Sequence, residues 1–95
     1  MVMRSSTIDQ ISRYINLDKE TLITKGIQSL LKEKRRAIML ERLKLLHRYR
    51  IVSKEELEDK IEKGDIEEHP VWEDLILLEN LEAELERIDG YLKNL

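Results

Sequence analysis

Apolar residues recur along this chain at steps of three and four with polar residues between them, a period that marks helix rather than strand. Ile8, Ile11 and Ile15 outline a first helix of about nine residues, with Ser5, Ser6 or Thr7 placed to cap its N-terminus. Asn16 and Leu17 interrupt it. Asp18 is then placed to cap a second helix, flanked by Leu17 and Leu22 as a hydrophobic staple. From Lys19 the pattern runs through Leu22, Ile23, Ile27, Leu30 and Leu31, crosses the charged stretch from Lys32 to Arg36, and resumes at Ile38, Met39, Leu43, Leu45, Leu46 and Tyr49. A helix of about thirty residues would measure roughly 45 Å at ~1.5 Å per residue, too long for a compact ball of this chain. Residues 19–49 are therefore either two helices with a hinge at KEKRR or one helix that projects.

The clearest local signal follows. Ser53 and Glu56 form an S-x-x-E capping box, Val52 and Leu57 its staple, and the third helix carries Leu57 and Ile61 before stopping at Gly64. Residues 65–69 read as a loop. Pro70, Glu73 and Asp74 suit the first turn of a fourth helix, where a proline is tolerated and carboxylates complement the helix dipole. Leu78, Leu81, Leu85, Ile88, Leu92 and Leu95 then form a leucine seam, broadened near its start by Trp72, Leu75 and Ile76. Trp72 reads first as a local core anchor and second as an interface anchor.

The predicted fold is all-α: a short helix, a long basic helix, a short capped helix and a C-terminal amphipathic helix, forming one domain over residues 1–95. Composition sharpens this. With 16 Leu, 11 Ile and 3 Val but no Phe, 3 Gly and 1 Pro, the chain is rich in helix formers and poor in breakers. Tyr14, Tyr49, Trp72 and Tyr91 are its only aromatics. Long helices in so short a chain leave apolar surface that a partner must cover, so oligomerisation is expected to complete the fold. The expected interface, with itself or with a partner, is Trp72, Leu75, Leu78, Leu81, Leu85, Ile88 and Leu92.

The formal charge of −3 conceals a division. Residues 1–50 hold 12 Lys and Arg against 5 Asp and Glu, whereas residues 51–95 hold 5 against 15. The plainer reading is a solvated surface with pairing between the two halves. The sharper one is a phosphate-binding face for DNA, with Lys32, Lys34, Arg35, Arg36 and Arg42 as candidate contacts.

The absence of cysteine excludes disulfides, thiolate zinc sites and cysteine nucleophiles, and suits a reducing cytoplasm. Met1 to Arg4 lead into Ser5, Ser6 and Thr7 without a signal-like apolar run, and no stretch approaches a membrane span, so a cytoplasmic chain without membrane contact is expected. Candidate chemistry is sparse. Glu79, Glu82, Glu86 and Asp89 share a helix flank beside the seam, and Glu55, Glu58 and Glu62 repeat the arrangement on the third helix. Such carboxylates hold magnesium in helical nucleotide pyrophosphatases, but the triphosphate-holding basic pattern is missing, so a magnesium-dependent nucleotide hydrolase is a distant third reading. His47 and His69 lack ligand spacing, and the serines lack an elbow motif. No catalytic residue, metal site or cofactor is expected.

The segments ISRYINLDKETLITKGIQSLLKEKRR, RYRIVSKEELEDKIEKGDI and HPVWEDLILLENLE together resemble, in pattern, the small helical antitoxins of archaeal type II toxin-antitoxin pairs. The first segment also resembles the second half of a ribbon-helix-helix unit. MVMRSSTI lacks the alternation of its DNA-reading strand, so ribbon-type DNA reading is not carried over. The resemblance implies a non-enzymatic, self-associating protein whose helices cover a toxin enzyme such as a ribonuclease. The alternative is a homo-oligomeric scaffold or adaptor with no nucleic-acid role.

Overall fold

Three left-handed backbone positions, Asn16 (φ 63°), Arg50 (φ 54°) and Gly64 (φ 73°), punctuate the chain. They separate α1 (Ser5–Ile15), α2 (Lys19–Arg48), α3 (Lys54–Glu62) and α4 (Glu68–Lys93). The computed structural model describes residues 5–64, 66 and 68–95, without the side chains of Ser5, Ser6, Glu68, His69 and Pro70. All regular structure among them is helical, as the spacing predicts. Helix α1 is already helical at Ser5, so Ser6 and Thr7 lie inside it and not at its cap; the side chains of Ser5, His69 and Pro70 lie outside the described residues.

Each boundary has a local cause. At the end of α1 the Leu17 N–H donates to the Ser12 carbonyl at 3.0 Å and the Asn16 N–H to the Arg13 carbonyl at 3.2 Å, so a left-handed Asn closes the helix. The Ser12 hydroxyl donates to the Leu17 carbonyl and fastens the same turn. Asp18 adopts the extended N-cap conformation of α2, but its carboxylate makes no cap hydrogen bond of regular geometry. The Thr21 hydroxyl is the foremost group holding that carboxyl below its ordinary pKa. Before α3, Ser53 Oγ accepts from the Glu56 N–H at 3.2 Å, as the capping box predicts. Glu56 reaches one residue further back than the motif implies, and accepts from the Val52 N–H at 2.9 Å.

The staple expected from Val52 is corrected. Val52 is 81% exposed, while Ile51 is buried beside Leu57 in the core. The turn at Arg50 explains the exchange: its left-handed backbone, with the Ile51 N–H donating to the Leu46 carbonyl at 3.0 Å, aims Ile51 inward. At the other end of α3, Gly64 supplies the positive φ that stops the helix. Helix α4 begins at Glu68, two residues earlier than the expected loop allows, with Pro70 still within its first turn.

Helix α2 is one unbroken helix of 30 residues, so KEKRR is no hinge and the helix projects. The chain extends over 62 × 25 × 17 Å with a radius of gyration of 19.9 Å. A compact chain of this length would have a radius near 12 Å. The second half of α2 lies antiparallel to α4, and α3 packs mainly on α4. Ile38, Leu45 and Leu46 of α2, Leu57 and Ile61 of α3, and Val71, Leu75, Leu78, Leu81, Leu85 and Ile88 of α4 close one core. Together these helices form the body. Before Leu31, which packs against the core, α2 carries α1, and this two-helix hairpin forms an arm.

Candidate interaction surfaces

The leucine seam of α4 faces inward. Leu75, Leu78, Leu81, Leu85 and Ile88 are buried within the chain, and Leu92 is half-buried. These positions were expected to serve an interface, but α2 and α3 already cover most of them. Stepped backward from Leu78, the seam passes through Leu75 to Val71, whereas Trp72 lies about 100° further around the helix. Val71 is therefore the buried residue of the first turn and Trp72 is 47% exposed, which corrects the reading of the indole as a core anchor. Ile76, one turn on, is 56% exposed. The two form an apolar strip on the outside of α4.

Part of the charge division is met inside the molecule. Arg35 Nε donates to Asp89 Oδ1 at 2.7 Å, Arg42 Nε to Glu82 Oε1 at 3.1 Å, and Arg48 Nη1 to Asp74 Oδ2 at 3.0 Å. As the α2 numbers rise, the α4 numbers fall, so the cations form an antiparallel ladder with the anions. Two candidate DNA contacts, Arg35 and Arg42, are occupied in this way, while Lys32, Lys34 and Arg36 are exposed. Exposed rungs are screened by solvent and contribute little each.

The lowest rung is the most built. The Tyr49 hydroxyl donates to the same Asp74 oxygen that accepts from Arg48, and Lys60 Nζ donates to the Tyr49 carbonyl at 3.3 Å. Burial, foremost, and then the Asp74 carboxylate push the Tyr49 phenol above its ordinary value. Asp74 likewise raises the Arg48 guanidinium, by hydrogen bond and then by charge. This clamp joins the end of α2 to the start of α4. The spacing assigns Asp74 a dipole role in the first turn, but with α4 starting at Glu68 it lies in the second turn, and nothing in the spacing pairs it with Tyr49.

The carboxylate flanks do not converge. Glu82 and Asp89 are held by arginines, Glu58 lies 3.8 Å from Lys54, and Glu55, Glu62, Glu79 and Glu86 are exposed. Among the described residues no three His, Cys, Asp or Glu side chains are grouped as metal ligands. His47 is exposed. No described helix is long and apolar enough to cross a membrane.

The arm carries a further apolar surface, besides Leu40 and Leu43, which are exposed on the second half of α2. Ile8 and Ile11 of α1 and Leu22, Ile23 and Gly26 of α2 line a groove of about 290 Å³. Beside it Ile15, Ile23, Ile27 and Leu30 are exposed. Their periodicity is visible in the sequence, but their exposure depends on where α4 ends.

A family model covers residues 1–95, the whole chain, and its description is Uncharacterized protein MJ0235 family. The chain belongs to that family. Comparison with curated proteins and with solved structures gave no match. For this MJ0235-family chain, the outer strip of α4 and the apolar arm are thus the surfaces from which function is argued.

Proposed function

We propose that the chain is a non-enzymatic helical binding protein acting in the cytoplasm, and that a protein partner docks on the outer strip of α4. The observation that carries this reading is the exposed Trp72 beside Ile76, on a helix whose other face is already filled. An indole is among the side chains that most often anchor a protein interface. The antitoxin version, in which the partner is a toxin enzyme such as a ribonuclease, rests on the sequence resemblance. The arginine ladder favours the plainer reading of the charge division over DNA binding, because it occupies two of the five cations that reading needs.

The test is capture of the partner from the native host with wild-type chain and with Trp72→Ala. The variant is expected to keep its helical circular dichroism while losing about 30-fold or more in affinity, the effect of truncating an interface anchor. Recovery of a small nuclease that the wild type inhibits would support the antitoxin version. Equal capture by both chains would remove the α4 strip from the reading.

A further inference from the structure

The molecule exposes 7735 Å² for a mass of 11.4 kDa. A compact monomer of that mass would expose about 5,800 Å². The excess is about 2,000 Å², above the roughly 800 Å² that each partner buries in a stable pair. We propose that the arm formed by α1 and the first half of α2 pairs with the same arm of a second copy. The proposal is independent of the partner at Trp72.

Three observations select a second copy as the occupant. The arm carries an apolar groove lined by Ile8, Ile11, Leu22, Ile23 and Gly26, and Ile23 also begins an exposed ridge that continues through Ile27 and Leu30, at 53%, 41% and 67% exposure. A two-fold operation brings each ridge to the other's groove, as a closed dimer requires. At Gly26 nothing lies within 4 Å of where a Cβ would sit, so the groove is open at its α2 wall. The charges also balance. Asp9, Asp18 and Glu20 match Arg13, Lys19 and Lys25, and the Asp9–Lys19 pair closes within the arm at 2.6 Å. Two arms therefore meet without net repulsion. The pair completes a four-helix bundle, the smallest helical arrangement in which both hairpins hide their apolar faces.

Analytical ultracentrifugation at about 100 µM tests this by mass action. The wild type is expected to sediment as a dimer that persists in molar salt, where exposed charge contacts are screened. Ile27→Asp with Leu30→Asp is expected to sediment as a monomer of unchanged helical content, since both side chains are exposed in one copy. Trp72→Asp is expected to remain dimeric. A monomeric wild type, or a dimer that survives the ridge changes but not Trp72→Asp, overturns the proposal. Because the chain lacks cysteine, a single thiol gives a second readout that does not depend on the aspartates being tolerated. Ile27→Cys should be joined between copies by a short bismaleimide, and Ala83→Cys on the body should not. Equal or reversed cross-linking counts against the arm.

Discussion

The arm and the body are built from the same residue types and share one helix, yet only the body closes a core. Every buried residue among those described lies at or beyond Ile38; between Thr7 and Leu31, isoleucines and leucines at equally regular spacing remain half or fully exposed. The difference is the number of helices. Three helices surround a common line of side chains, so Leu78 is 0% exposed, whereas two touch along a single strip and leave their flanks to solvent. Regular apolar spacing thus specifies a face that wants burial, and the count of neighbouring helices decides whether the chain itself supplies it.

The strongest way to break this comparison is to empty the body. Leu78→Ala should cost about 3–4 kcal/mol, the range for a fully buried leucine, while Ile23→Ala measured at submicromolar concentration should cost under about 1 kcal/mol. Urea denaturation measures both, and similar losses would mean that the arm is packed as tightly as the body.

The clamp at Tyr49 gives a smaller effect with a defined pH dependence. Tyr49→Phe should remove about 1 kcal/mol at neutral pH, the scale of one partly exposed hydrogen bond. Because the folded phenol is raised above its unfolded value, near 10, its contribution is complete below that pH. Above it, the unfolded chain releases the proton first, so the contribution declines as pH rises through the folded value. The stability difference between wild type and Tyr49→Phe should therefore shrink between neutral and strongly alkaline pH. A constant difference would show that folding does not raise the Tyr49 phenol.

Arg50→Gly should stabilise the body by about 0.5–1 kcal/mol, since arginine carries a steric penalty at φ 54° that glycine avoids. A lower melting temperature would place the cost of the extra backbone freedom above the relief. Smallest of all, Arg35→Ala should leave the urea midpoint almost unchanged, with any shift fading in salt. DNA titration of the same variant sharpens the electrostatic side: a weaker, flatter salt dependence than wild type would show that Arg35 leaves Asp89 for phosphate.

The helices were legible because each begins and ends on local chemistry. Ser53 with Glu56, Asn16 and Gly64 all act within a few residues, and sequence spacing records them directly. The orientation of Trp72 was less legible, because apolar character alone does not say which side of the first turn is buried; Val71 fits the seam by angle, and that was the signal available. The Val52 staple failed for a different reason. Whether Ile51 or Val52 turns inward depends on the left-handed backbone at Arg50, and arginine gives no hint of it. The ladder between α2 and α4 was visible as a balance of charge but not as particular pairs, since its register depends on the length of the turn through α3.

Helix α2 joins arm and body without a break, and this fixes their phase as well as their separation. Each added residue would lengthen the connection by ~1.5 Å and also swing the arm by about 100° around the helix axis. One alanine inserted between Arg36 and Ala37 would therefore point the isoleucine ridge to a different side of the molecule while leaving each half locally intact. Seven would return it almost to its original azimuth, about 10 Å further away. The chain keeps angular time along α2, much as two cams are set on one shaft.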